Sequence, residues 1–321
     1  MIFDRYGRPV LSMRIQVNTV CNFHCFFCHM EGTGVHAAQL DAEGIERIVE
    51  VASSFGVNKV KFTGGEPTLR RDIVDIVRRT RKHISGNISM TTNGVMLPRL
   101  ARQLREAGLD RVNISMHSTE EEGFRIITGT NFLGRVKEGI RAAKEAGLGP
   151  IKVNFVVLNG INVHQIPAMM EFCAEEGVTL QLIEYETTRE RMHSEEFQKY
   201  HVPLEPIERE IASRARAVEH NSLHRRPEYL VEVNGKDLWV EFVKPMRNSE
   251  FCNHCTRIRV TSTGELKPCL MRDDNHIDIK EALEKGDTDA LRRLFIRAAL
   301  SREPYWKPYE DPRVVQAPES F

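Results

Sequence analysis

From Met13 to Glu184 short β-branched runs alternate with longer amphipathic stretches, and this alternation restricts the possible folds more than any other feature of the chain. The predicted strands are residues 13–18, 59–63, 88–92, 111–115, 152–158 and 179–184. Helical periodicity fills 41–55, 71–83, 97–107, 134–146 and 164–176, with Gly108 and Gly147 placed as C-terminal stops. Six βα units imply a parallel sheet. A closed eight-stranded barrel needs two more units, so the expected fold is α/β, a partial (β/α)6 TIM-like barrel. Ligands of such folds gather at the C-terminal ends of the strands.

After Glu184 the pattern changes. A polar stretch, residues 187–203, leads to a short helix and then to two strands, 229–233 and 238–243, around the hairpin signal Asn234-Gly235. A second pair, 257–261 and 265–267, turns at Thr263-Gly264, and a charged helix is expected over 279–300. The predicted division is a barrel domain over 1–200 and a smaller β-rich module over 201–321. Residues 307–321, with three prolines, read as loose.

Lys plus Arg and Asp plus Glu balance at 45 each, so no global charge points to nucleic acid or to a membrane surface. The opening residues lack the blocks of a signal peptide, and no apolar run approaches the roughly 20 residues that cross a bilayer. The expectation is a cytoplasmic protein with no nucleic-acid or membrane partner.

Seven cysteines are present, and six of them form two tight groups, a distribution that suits metal sites better than disulfides. Cys173 stands apart within a helical stretch and reads as a buried thiol. Cys21, Cys25 and Cys28 follow the first strand on one loop. Three thiolates there can hold three corners of a four-iron cluster and leave the fourth iron open. A zinc site completed by His24 or His29 is the alternative. After the second strand comes Thr63-Gly64-Gly65-Glu66-Pro67, where glycines let the backbone approach a ligand and a carboxylate can accept from an ammonium. Cys252, Cys255 and Cys269 form the second group, equally compatible with zinc, using His254 or His276, and with iron-sulfur.

With Phe27 before its last cysteine, the first motif resembles that of the radical S-adenosylmethionine (SAM) superfamily, and GGEP resembles the superfamily's SAM-binding turn. The whole chain, including the stretch from Phe251 to Leu270, is similar to the GTP 3′,8-cyclases of molybdenum cofactor biosynthesis. That resemblance implies a radical SAM lyase with two [4Fe-4S] clusters, one on Cys21, Cys25 and Cys28 and one on Cys252, Cys255 and Cys269. It implies SAM contacts at Phe27, Gly64, Gly65, Glu66 and Ser115. It implies GTP contacts at Arg14, Lys61, Thr91, Lys152, Arg257 and Arg259, since guanidinium groups pair with phosphate oxygens. Further implied partners are a reductant and a downstream cyclic pyranopterin monophosphate synthase, with the enzyme a monomer or homodimer.

Departures from the family pattern are local. Asn18-Thr19-Val20-Cys21 stands where the family has TDRC, and Gln181 and Glu186 replace an Arg and a Met tied to GTP and SAM. Many members end in Gly-Gly, whereas Pro318-Glu319-Ser320-Phe321 ends this sequence. Two other readings are open: a radical SAM enzyme with an auxiliary cluster acting on a peptide or a different nucleotide, and a noncatalytic iron-sulfur or zinc protein.

Overall fold

Alternate residues of the N-terminal strands differ in kind, and that difference gives the sheet two unlike faces. The computed structural model describes residues 1–34, 39–221 and 226–315. Its first strands are β1 (Ser12–Gln16), β2 (Lys59–Thr63), β3 (Ile88–Thr92), β4 (Arg111–Ser115) and β5 (Lys152–Val157). Met13 and Ile15, Val60 and Phe62, Ile88 and Met90, Val112 and Ile114, and Val153 are all buried on one side. Their neighbours in the chain, among them Arg14, Lys61, Ser89, Asn113 and Lys152, take the other side, as the two-residue period of a strand requires.

The apolar side is covered by helices. These are α1 (Ala42–Ser54), α2 (Ile73–Arg81), α3 (Leu97–Glu106), α4 (Glu121–Thr128) and α5 (Leu133–Glu145). In α1 the buried residues Ile45, Ile48, Val49 and Ala52 recur at helical spacing, and the Asp41 carboxylate caps the first turn by accepting from Gly44 N–H at 2.7 Å. Gly108 and Gly147 follow α3 and α5 with positive φ, as expected of helix stops. Predicted and observed strands differ by at most two residues at an end. Helix α4 is absent from the sequence reading because it is only eight residues long and carries charges through its first turn.

By compactness the chain divides differently from the 1–200 and 201–321 division read from sequence. One unit comprises Met1–Asn154 with Thr256–Arg302, and the other Phe155–Cys255 with Glu303–Phe321. The second unit contains α6 (Ile166–Glu176), β6 (Thr179–Glu184), α7 (Glu195–Tyr200), α8 (Glu205–Ser213), β7 (Ala217–His220), β8 (Pro227–Val233), β9 (Lys236–Val243) and α9 (Ser249–Asn253). Strand β9 lies parallel to β6, and β8 and β7 extend the sheet antiparallel. Asn234 and Gly235 both have positive φ, the conformation of the tight hairpin their sequence signals. Cys173 is fully buried in α6.

The remainder of the first unit holds β10 (Arg257–Val260), β11 (Glu265–Lys267), β12 (Ile277–Asp278), α10 (Lys280–Glu284) and α11 (Thr288–Leu300). Within the C-terminal β-rich part of the sequence, β10 pairs parallel with β1, so its hairpin extends the βα sheet beside the first strand. The single helix expected over 279–300 is two, because Gly286, with φ +62°, turns the chain between them. The loose tail is corrected in part as well. Over Pro308–Glu310 and α12 (Pro312–Val315) it is helical, and buried Asp311 accepts from Ser249 N–H at 2.7 Å. Residues 316–321, including the Pro-Glu-Ser-Phe end, lie outside the described residues.

Helix α4 also explains how the cysteine loop is held. His24 N–H donates to the Thr128 carbonyl at 2.8 Å, and Phe23 packs edge-on to Phe124 and stacks with Phe132. Replacing Phe23 by Ala is expected to cost about 3 kcal/mol through the cavity it leaves. Anaerobic thermal unfolding should show the loss, and iron content after reconstitution should fall with it.

Candidate active site

Three loops meet at the C-terminal ends of β1, β2 and β3. The loop after β1 carries Cys21, Cys25 and Cys28, all as free thiols. Burial pushes the Cys25 thiol up to about 12, helped by the neighbouring Cys28 and Cys21, and burial likewise raises Cys21 and Cys28. A bound cation reverses that preference, because it favours the thiolates it ligates. Two backbone amides already point at sulfur: Phe23 N–H at 3.3 Å from Cys21 Sγ and Met30 N–H at 3.4 Å from Cys28 Sγ. Such donors stabilise thiolate sulfur and tune cluster potentials. Among the described residues no three His, Cys, Asp or Glu side chains group as ligands of one metal ion. The donor set fits an iron-sulfur cluster.

The loop after β2 is packed against the cysteine loop backbone to backbone. Gly65 N–H donates to Asn18 O at 3.0 Å and Glu66 N–H to Val20 O at 2.7 Å, while Asn18 Nδ2 donates back to Glu66 O at 2.8 Å. A Cβ on Gly65 would stand 2.3 Å from Val20 O, and one on Gly64 would stand 2.3 Å from Asn18 Oδ1. The glycines are therefore required by the approach of the residues just before Cys21.

Glu66 has protein partners throughout. Its Oε1 accepts from Thr68 N–H at 3.0 Å, Thr68 Oγ1 at 2.5 Å and Thr92 Oγ1 at 2.6 Å, and its Oε2 from Asn93 N–H at 2.6 Å. Burial raises its pKa against these bonds, which favour the ionised form. The carboxylate thus ties the turn after β2 to Thr92-Asn93 after β3, and Asn93 in turn donates to Asn22 of the cysteine loop at 2.7 Å. Thr68, Thr92, Asn93 and Asn22 escape sequence reasoning because each is an ordinary loop residue whose value lies in its partners. Phe27 meets buried His117 edge-on at 5.0 Å, and Ser115 ends β4 half-buried. Burial lowers the His117 pKa to about 4, leaving the imidazole neutral at physiological pH.

The predicted substrate residues share the polar face of the sheet. Arg14 is in register with Arg259 on one side and Lys61 on the other, which sets three cations side by side on adjacent strands. Like charges on neighbouring strands repel one another, the more so where they are shielded from water. Arg257 pairs with Ser12 two residues back, and Thr91 and Lys152 flank Asn113 on β3 and β5. Lys61 Nζ donates to Asn113 Oδ1 at 3.1 Å, and Lys152 is buried. An unforeseen carboxylate, Glu31, lies between the cations, 3.8 Å from Arg14 and 3.9 Å from Arg259. Burial alone would raise its pKa, but Arg14, His29, Arg259 and a hydrogen bond from Thr63 hold it below the ordinary value.

Of the second cysteine group, Cys252 and Cys255 belong to one unit and Cys269 to the other. Cys252 Sγ accepts from Trp306 N–H at 3.4 Å. Where the family has an Arg, buried Gln181 donates to Glu241 Oε2 at 2.8 Å, and Arg226 also pairs with that carboxylate at 2.5 Å.

Residues 15–173 match the Radical SAM superfamily, and residues 178–308 match Molybdenum Cofactor Synthesis C. A probable GTP 3′,8-cyclase of Thermoplasma volcanium is 58% identical over 98% of this chain and 95% of its own length. The chain belongs to the GTP 3′,8-cyclase family. Another probable GTP 3′,8-cyclase, from Thermococcus kodakarensis, is 45% identical over 96% of this chain and 100% of its own. Among solved structures, Streptococcus suis SuiB bound to S-adenosylmethionine shares the fold with a TM-score of 0.63 at 19% identity. That likeness covers 88% of this chain and 65% of SuiB, less than two thirds of the larger protein. Membership makes this a radical SAM enzyme with an iron-sulfur cluster and SAM as cofactors. Among the described residues no helix is long and apolar enough to cross a membrane.

In this family member the glycine contacts make a sharp prediction. Gly65→Ala places a methyl group against backbone that cannot yield, so iron content and the cluster's visible absorbance should drop to near background. His117 gives a second. Its folded pKa lies below the unfolded value of about 6.5, so the unfolded chain binds the proton first and stability falls as pH drops from 6.5 towards 4. Denaturant titrations should show about 3 kcal/mol of such loss that His117→Gln removes.

Proposed function

We propose that this chain converts GTP to (8S)-3′,8-cyclo-7,8-dihydroguanosine 5′-triphosphate in molybdenum cofactor biosynthesis. The observation that carries this reading is the in-register row Arg259, Arg14 and Lys61 on the polar face of the sheet. A triphosphate is the kind of ligand such a row suits, because its oxygens accept several charged hydrogen bonds at once. Arg259 supports it further: it is 7% exposed, and its Nε makes no hydrogen bond among the described residues. Lys152, Thr91 and Arg257 complete the substrate set on the same face.

Cys21, Cys25 and Cys28 would hold the first cluster, which supplies the electron that splits SAM into methionine and the hydrogen-abstracting adenosyl group. Gly64, Gly65, Glu66, Phe27 and Ser115 are the proposed SAM contacts, and Glu66 also holds the surrounding turns in place. Neutral His117 behind Phe27 adds an apolar edge without charge, which helps exclude water from a reactive intermediate. Cys252, Cys255 and Cys269 are proposed to hold a second cluster. All three lie within the stretch matching Molybdenum Cofactor Synthesis C, and the hydrogen bond that Trp306 N–H donates to Cys252 Sγ supports a thiolate there. An external reductant is required, and a synthase that acts on the cyclised nucleotide is the expected next enzyme.

Anaerobic incubation of the iron-loaded protein with SAM, dithionite and GTP should give 5′-deoxyadenosine and cyclised nucleotide in equal amounts by mass spectrometry. Formation of 5′-deoxyadenosine with GTP untouched and a peptide or another nucleotide consumed overturns the reading. Arg259→Ala should raise KM for GTP about 10- to 100-fold, the loss of a charged hydrogen bond, while iron content stays at the wild-type level.

A further inference from the structure

The loop that leaves Cys28 folds a carboxylate back onto the cations of the sheet. Met30 and Glu31 both have positive φ, at 46° and 54°, a conformation that side-chain-bearing residues adopt only where the surroundings enforce it. The loop is fastened through Gln16, whose Nε2 donates to Thr33 Oγ1 at 2.8 Å, and the Gln16 Oε1 accepts from Ser262 N–H at 3.1 Å. Glu31 ends between Arg14 and Arg259, yet at 3.8 and 3.9 Å it is beyond hydrogen-bond reach of either. It lowers the repulsion between two neighbouring guanidinium groups without saturating their donors. The strained backbone, a carboxylate that Thr63 bonds but neither guanidinium does, and the incompletely bonded Arg259 describe a cationic site that is neutralised without being filled.

We propose that Glu31 is an internal stand-in for substrate phosphate: it neutralises Arg14 and Arg259 in the empty enzyme and is displaced when a polyphosphate takes its place. This rests on the reading of the cationic row as a polyphosphate site. Displacement relieves the positive-φ turn and exchanges one carboxylate for a ligand with several anionic oxygens. It also means that the resting loop lowers apparent affinity, as any competing closed state does. The arrangement discriminates between ligands: a weakly charged nucleoside cannot evict the carboxylate, whereas a triphosphate can.

The test compares wild type with Glu31→Gln, both iron-loaded and checked for equal iron content, in binding of inorganic tripolyphosphate, guanosine, GTP and ATP by anaerobic calorimetry. The variant should bind tripolyphosphate and GTP about tenfold more tightly and guanosine no better. Unchanged or weaker tripolyphosphate binding overturns the proposal, since a residue that merely braces the loop gives that result. A gain for tripolyphosphate with GTP bound no better than ATP upholds the role of Glu31 and counts against the cyclase reading instead. If the variant does not retain iron, hydrogen exchange on the wild type decides: tripolyphosphate should speed exchange of the amides of residues 30–34. Unchanged or slower exchange there overturns the proposal.

Discussion

Everything at the cofactor end depends on two loops touching through bare backbone. The turn after β2 and the run before Cys21 exchange three hydrogen bonds, and they come so close that a single methyl group on Gly65 would collide with a carbonyl. Because β1 and β2 are adjacent and parallel, their loops emerge on the same side and in a fixed register. Glu66 passes this constraint to the loop after β3, and Asn93 returns it to the cysteine loop. The cysteines are thus placed by a closed circuit of hydrogen bonds, which is how a short loop with little core of its own can keep three thiols in position.

The substrate face follows from a different economy. Parallel strands covered on both sides usually read as continuous hydrophobic runs. Here each strand alternates, so one side builds the core against the helices and the other is left polar. A chain with no net charge therefore concentrates cations in one place, and accepts repulsion between them that only an anion relieves. The cost in stability is the usual one for a site organised before its ligand arrives.

Much of this was legible in the sequence. The βα strands could be placed because short β-branched segments alternated with longer amphipathic ones, and the cysteine and GGEP motifs sit on the loops where a parallel sheet puts its ligands. What the sequence hid was partnership over distance. Nothing in Arg257–Val260 says that it lies beside β1, since a strand's edge is chosen by packing and not by composition. Helix α4 was invisible because its burial rests on few residues, Phe124 and Ile127 chief among them. Glu31 was passed over because a single acid in a glycine-rich loop is normally a solvated charge. For Gly64 and Gly65 the sequence suggested close approach of the backbone to a ligand, and it did not show the approach of the chain itself that both glycines also permit.

The pairing of β10 with β1 has a consequence for how the molecule is made. The Ser12 hydroxyl reaches the Thr256 carbonyl at 3.4 Å across 244 residues of chain. Contacts of that separation form only after the entropy of closing a long loop has been met, so they come late in folding. During synthesis β1 waits, with one edge open, until most of the protein has left the ribosome. The row of cations is complete only when Arg259 arrives, and an exposed β1 edge is the segment most in need of protection in the interval.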